Sequence, residues 1–166
     1  MEEADVEAVS TIRVRGWRAA YAGIVPGAYL AAMTVEEDAE RRRRSFARPR
    51  PGVENLVAVD DHGPVGWLCL GPCRSELPGA RKAGEVYALY VAPELLGQGV
   101  GRGLLDEAHV RMTAAGHDVS ALWVLRDNRR ARGFYERAGY QADGAAQDDV
   151  YDTTTLTELR YRRTLA

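Results

Sequence analysis

The sequence predicts one α/β domain over residues 1–166, on three observations. The first third is patterned as helices and gives way to short apolar runs of strand length. A glycine-rich turn, Gln98-Gly99-Val100-Gly101-Arg102-Gly103, then joins a strand-like run to an apolar-periodic one. From there strand and helix patterns alternate to the end, with no internal repeat and no low-complexity linker. A chain of 166 residues is long enough to bury a core.

Each element has its own signal. Ala4 to Ala22 carries Val6, Val9, Ile12 and Trp17 at helical spacing. Pro26 suits the first turn of a short helix through Leu30. Thr34, followed three positions on by Glu37, is a capping-box signature; its helix runs through Phe46 and ends before Pro49 and Pro51. Leu56 to Val59 and Val65 to Leu70 read as strands around the turn Asp60-Asp61-His62-Gly63. Pro72 to Gly79 is a loop. Glu85 to Val91 is a third strand, with Glu85, Tyr87, Leu89 and Val91 expected on one face. After the glycine turn, Val100, Leu104, Ala108 and Met112 form the apolar stripe of a helix that Gly116 ends. Val119 to Leu125 is a strand and Asn128 to Ala138 a helix. Gly139-Tyr140 opens another strand, and Thr153 to Thr164 is a long terminal one.

Composition narrows the function classes. A net charge of −2 gives no global field to recruit nucleic acid or an anionic membrane. No apolar run approaches the roughly 20 residues that span a bilayer, and the acidic start Met1-Glu2-Glu3 is unlike a signal peptide. The cytoplasm is the expected compartment. Cys69 and Cys73 have no His or Cys cluster to complete a metal site, so they read as free thiols. His62, His109 and His117 are scattered, with nothing pairing them into a dyad. Arg41-Arg42-Arg43-Arg44 points four ways around a helix and has no interleaved aromatic platform, so it reads as a solvated helix rather than a nucleic-acid face. Lys82 is the only lysine among 22 basic residues, a skew typical of GC-rich coding and hence of a bacterial source.

The glycine turn is the strongest motif. Stripped of side chains at the entrance to a helix, it leaves backbone N–H groups free to meet an anion, with the positive end of the helix dipole behind them. It lacks the Lys-Ser/Thr of a Walker loop, and its glycines at 99, 101 and 103 do not fit Gly-x-Gly-x-x-Gly. The Gln-x-x-Gly-x-Gly spacing, with Val91-Ala92-Pro93 upstream, resembles the acyl-CoA pyrophosphate loop of the GNAT N-acetyltransferases. A second signature of that family is matched by Asn128, Ala131, Phe134-Tyr135 and Gly139-Tyr140. The segment Gly16-Trp17-Arg18-Ala19-Ala20-Tyr21 also looks like the first helix of many bacterial members. The resemblance covers nearly the whole chain and is most specific from Glu85 to Tyr140.

That resemblance implies a mixed, mostly antiparallel twisted sheet flanked by helices, with the usual first strand missing or truncated. An absent edge strand would expose its neighbour, which makes a homodimer possible. It also implies direct transfer of an acetyl group from acetyl-CoA to an amine, in a ternary complex. The pantetheine arm would lie along Leu89-Tyr90-Val91 and the pyrophosphate on Gln98, Gly99, Val100, Gly101, Arg102 and Gly103. Asn128 and Ala131 would help hold the cofactor, although Asn128 also suits a helix N-cap. Tyr135 stands where the family's tyrosine protonates the leaving thiolate. Glu85 stands where several members place a base; others use water. Trp17 and Tyr21 would wall the acceptor pocket or lie in the core. Asp143, Asp148, Asp149 and Asp152 would make the loop between the last two strands acidic, either to favour a cationic amine or simply as a solvated loop. No metal is implied. A small-molecule amine is favoured over a protein N-terminus or lysine as acceptor, and the rival reading is a catalytically silent acyl-CoA-binding regulatory module.

Overall fold

The computed structural model describes residues 1–165. A 3-10 turn, Glu3–Asp5, leads into α1 (Val6–Ala20), α2 (Gly27–Ala32) and α3 (Val35–Ala47). Then come β1 (Glu54–Asp60), β2 (Gly63–Pro72), β3 (Ala83–Val91), a 3-10 turn Pro93–Leu95 and α4 (Val100–Ala114). The chain continues through β4 (Val119–Leu125), α5 (Arg129–Arg137), β5 (Gln141–Tyr151) and β6 (Thr154–Thr164). The six strands form one sheet in the order β1-β2-β3-β4-β6-β5. Only β3 and β4 run parallel; the other neighbours are antiparallel. No strand precedes α1 among the described residues, and β1 lies at one edge of the sheet, as expected.

Helices cover both faces. On one, Leu104, Leu105, Ala108 and Met112 of α4 pack on Leu68, Leu70, Val86 and Leu122, fulfilling the stripe read from the sequence. Leu68, Leu105 and Leu122 are fully buried, each worth about 1.5–3 kcal/mol of transfer free energy. Gly66 lets α4 sit this close, since a Cβ there would stand 2.9 Å from Leu104 Cδ1. On the other face Val9 of α1 packs on Trp67 and Cys69 of β2, and Leu30 of α2 packs with Leu125 and Tyr151. Cys69 and Cys73 are free thiols, and burial pushes Cys69 up to about 11.

Two irregularities in β3 create the site. The first is a bulge. Leu68 faces Leu89 and Cys69 faces Ala88, but Leu70 faces Val86, so Tyr87 is an extra residue on β3. The expected single face for Glu85, Tyr87, Leu89 and Val91 is therefore wrong. Val86 and Leu89 pack on the α4 side, whereas Tyr87, Ala88 and Tyr90 pack with Trp67 on the α1 side. The second is a divergence. Pairing of β3 with β4 is confined to Ala83–Val86 against Val119–Leu122, although β3 runs on to Val91 and β4 to Leu125. Past that point the two parallel strands separate, and the inner edge of β3 keeps its backbone groups free of β4.

One further expectation fails, and another holds for three residues of four. The acidic stretch is not a loop: Asp143, Asp148 and Asp149 lie in β5 and only Asp152 is in the turn. Antiparallel pairing with β6 overrides the weak strand propensity of that segment. Asp143 is spent on Arg160, 2.8 Å away and itself buried. The arginine run is also more than a solvated face. Arg43 pairs with Glu7 and Arg44 with Glu40, but Arg41 and Arg42 share the buried Asp38 with Arg13 of α1.

Candidate active site

The gap between the diverging strands is a cleft of about 520 Å³. Its walls are Leu89, Tyr90 and Val91 of β3 and Trp123, Val124 and Leu125 of β4. Gly99, Gly101 and Arg102 stand at one end, Asn128, Ala131 and Tyr135 along one side, and Gly16, Ala19, Ala20 and Tyr21 close it from α1.

The glycine turn is built to leave donors open. Gly99 is the residue before α4 and adopts φ 93°, a left-handed conformation that a side chain would strain. No side chain caps this helix, in contrast to α3, where Thr34 accepts from the Glu37 N–H at 3.2 Å. The first intrahelical bond runs from the Gly103 N–H to the Gly99 carbonyl, 2.9 Å, which takes Gly103 out of the set of free donors. Gln98 is also turned away: its Nε2 donates to the Glu94 carbonyl at 3.2 Å. Val100 packs into the core under α4. The free N–H groups therefore narrow to those from Gly99 to Arg102 at the start of α4, of which Gly99, Gly101 and Arg102 line the cleft. Arg102 Nε binds Asp106 at 2.9 Å, so its guanidinium is held along the helix. Arg130 and Arg137 of the α5 segment also line the cleft. Neither was singled out in the sequence, where they look like ordinary charges on an exposed helix face.

Asn128 caps α5, its Oδ1 accepting from the Ala131 N–H at 3.1 Å. It is buried and still reaches the cleft wall, so the capping and lining positions coincide. Tyr135, about two turns further on, faces the cleft. Its ring meets Phe134 edge-on at 5.1 Å and Tyr140 at 5.9 Å. Burial pushes its phenol well above the ordinary value, and the neighbouring hydroxyls of Tyr21 and Tyr140 add to this, so the proton stays on at neutral pH.

Tyr21 lines the cleft, whereas Trp17 does not. Trp17 lies behind it in an aromatic cluster, 4.7 Å from Tyr21, 6.2 Å from Tyr29 and 6.0 Å from Tyr151. Its buried indole N–H has no partner among the described residues. Tyr90 turns its ring to the α1 side and stacks on Trp67, and its hydroxyl meets that of Tyr21, which also lines the cleft.

Glu85 is placed against the expectation of a base. It is fully buried at the closed end of the β3–β4 pair, and it is absent from the cleft walls. Arg74 seals it: the backbone N–H donates to Oε2 at 2.9 Å, and the guanidinium holds Oε1. A carboxylate with both oxygens engaged and no exposure has nothing left to offer an incoming amine. The carboxylate the cleft does contain is Glu158 of β6. It accepts from Gln147 Nε2 at 2.8 Å and forms no ion pair among the described residues. Sequence reasoning passed over it because Glu158 sits in a plain alternating strand, and only the antiparallel partnership with Leu125 brings it to the cleft. The described residues hold no cluster of His, Cys, Asp or Glu that suits a metal, and no helix is long and apolar enough to cross a membrane.

Comparison with known proteins agrees with this geometry. The sequence model of the acetyltransferase (GNAT) family matches residues 17–140. The chain is 32% identical over 146 residues to the uncharacterized N-acetyltransferase YuaI of Bacillus subtilis (strain 168), covering 87% of this chain and 79% of that one. It is 44% identical over 109 residues to the mycothiol acetyltransferase of Beutenbergia cavernae; the match takes in 66% of this chain but only 34% of that longer protein. The fold is shared with the PaiA N-acetyltransferase of Thermoplasma acidophilum, solved in complex with coenzyme A. The TM-score is 0.76 at 21% identity, covering 99% of this chain and 95% of that one. The chain therefore belongs to the acetyltransferase (GNAT) family.

Proposed function

We propose that the protein moves an acetyl group from acetyl-CoA to a primary amine of a small molecule, by direct attack in a ternary complex. The observation that carries this reading is the divergence of β3 from β4 beyond Val86 and Leu122. It opens a cleft that has free strand backbone on one wall, uncapped helix N–H groups at one end and a protonated tyrosine on its side.

The pantetheine arm lies along Leu89, Tyr90 and Val91 and takes the place of the missing β4 partner. The pyrophosphate meets the N–H groups at the start of α4, with Arg130 and Arg137 adding positive charge beside Arg102. Glu158 receives the acceptor's ammonium, and Tyr21 and Trp123 flank it. Once the amine has lost a proton to solvent by way of that carboxylate, its nitrogen attacks the thioester carbonyl. The C–S bond breaks, Tyr135 gives its proton to the departing sulfur, and the new amide nitrogen releases its surplus proton to solvent. Solvent then reprotonates the phenol. The aromatic cluster of α1, α2 and the β5–β6 hairpin narrows the acceptor side, which favours a small molecule over a folded protein.

The test has two parts. Acetyl-CoA at about 100 times its dissociation constant should stabilise the protein by roughly 2.7 kcal/mol in a thermal melt. No shift at millimolar acetyl-CoA removes the cofactor assignment. Release of free thiol from acetyl-CoA across a panel of amines then identifies the acceptor class, and binding without turnover on any amine would support the silent-module alternative.

A further inference from the structure

A second cavity, of about 700 Å³, lies on the face of the sheet that α1 and α3 cover, and it shares no lining residue with the cleft. Six arginines converge on it: Arg13 from α1, Arg41, Arg42 and Arg44 from α3, and Arg48 and Arg50 from the segment before β1. The convergence is tertiary, since no single helix face could collect them. Only one carboxylate, Asp38, lines the cavity with them, and it pairs with three of the six. Its side chain is 5% exposed and takes Arg13 at 2.8 Å and Arg42 at 2.7 Å, with Arg41 at 3.5 Å. Arg44 is drawn to Glu40 outside the cavity, and Arg48 and Arg50 make no ion pair among the described residues. Elsewhere Arg15 is matched by Glu94, Arg81 by Asp118 and Arg111 by Glu54 and Glu107, while Arg126, Arg129, Arg130 and Arg137 form no ion pair among the described residues but are not gathered around this cavity. In a chain of net charge −2, this is a local surplus.

At its inner end the surplus is also poorly hydrated. The Arg42 guanidinium lies 3.9 Å from the centroid of the Trp67 ring, with its side chain 11% exposed. Burial lowers its pKa from the ordinary value even though Asp38 opposes the shift. A largely buried guanidinium that shares one carboxylate with two others lacks counter-charge, and an entering anion supplies it. The planar forks of Arg48 and Arg50 at the rim suit bidentate contact with phosphate or carboxylate oxygens.

We propose that this cavity binds a small multivalent anion, a phosphate ester or a polycarboxylate, at a site separate from the acyl-CoA cleft. The volume, about 700 Å³, is that of a metabolite pocket. Trp67 links it to the cleft by stacking on Tyr90, with ring centroids 6.2 Å apart.

Calorimetric titration tests it. Pyrophosphate and citrate are titrated separately into protein saturated with coenzyme A, at constant ionic strength set with sodium chloride. Coenzyme A occupies the glycine turn, so the heat reports on the cavity. At least one anion should bind saturably, one per chain. The double variant Arg48→Gln/Arg50→Gln should weaken it by about tenfold or more, these being charge-assisted contacts. Arg126→Gln/Arg129→Gln removes equal charge from another exposed surface and should change affinity by less than about twofold. Preference for pyrophosphate identifies a phosphate ester, and preference for citrate a polycarboxylate. No saturable heat, or equal weakening by both double variants, overturns the site. If coenzyme A itself fails to bind, the same titrations run without it, and the two double variants still decide the cavity independently of the cleft.

Discussion

The two ends of the β3–β4 pair hold the same kinds of residue in opposite circumstances. At the closed end, where the strands are bonded, Glu85 is locked to Arg74, and Tyr140 shares its hydroxyl with Ser120 at 2.6 Å and His109 at 2.8 Å. At the open end, Glu158 has only Gln147, and Tyr135 has aromatic rings around it and a cleft in front. Burial raises both phenols, and Tyr140 and Tyr135 differ in what surrounds the hydroxyl rather than in the direction of the shift. A perturbed group at the closed end is satisfied and structural. The same group at the open end is available for chemistry.

The sharpest way to break this contrast is to remove each tyrosine hydroxyl in turn. Tyr135→Phe keeps the ring packing and should lower turnover by about 10²–10⁴-fold with acetyl-CoA affinity nearly intact, as measured by steady-state kinetics and thermal shift. Tyr140→Phe should leave turnover near that of the unaltered protein and instead cost about 1–3 kcal/mol in urea unfolding, because Ser120 and His109 lose a buried partner. The reverse pattern would place the acid at the closed end.

The closed end should also show in the pH dependence of stability. Burial first, and then the Arg163 charge, lower His109 from 6.5 to about 4. Arg163 Nη1 lies 3.2 Å from Nδ1, which leaves Nε2 to donate to Tyr140. The imidazole is thus held neutral in the folded protein. Between pH 6.5 and 4 the unfolded chain binds a proton that the native state refuses, so stability is full above 6.5 and falls as the pH drops toward 4. The loss is on the order of 3 kcal/mol, seen as a falling urea midpoint. His109→Gln should flatten that slope; an unchanged slope would assign it to carboxylates elsewhere.

The carboxylates give the next effect. Glu85→Gln strands the Arg74 guanidinium and should cost about 1–3 kcal/mol of stability while the low-pH limb of the rate profile stays in place. Loss of that limb would restore Glu85 as the base. Glu158→Gln should do the opposite: stability changes little, and the KM for a cationic amine rises by about tenfold, the equivalent of about 1.4 kcal/mol. An amine KM that does not move would separate Glu158 from the acceptor. The smallest expected effect is Gly103→Ala, where an added Cβ meets open space and the N–H is already bonded within α4; acetyl-CoA affinity should hold.

Much of the fold was legible because its signals are local. The stripe Val100, Leu104, Ala108 and Met112, the Thr34 cap and the turn at Asp60 to Gly63 each depend on residues a few positions apart, and each forms as read. The acidic stretch misled because Asp148 and Asp149 are poor strand formers on their own, and only pairing with β6 makes them strand. In the site, Asn128, Tyr135 and the glycine turn were legible as motifs, and the structure gathers them along one cleft.

By itself the sequence determined the order of elements, the family, and the chemistry each motif can perform, since periodicity, caps and glycine spacing act within a turn or two of chain. Which carboxylate faces the cleft was decided only in three dimensions. An extra residue at Tyr87 shifts the face of β3, the β3–β4 pair parts after Val86, Arg74 closes over Glu85, and antiparallel pairing lays Glu158 beside Leu125. The reason is physical: a strand's side chains alternate faces, so one bulge reverses every assignment beyond it, and burial depends on partners that no local pattern names.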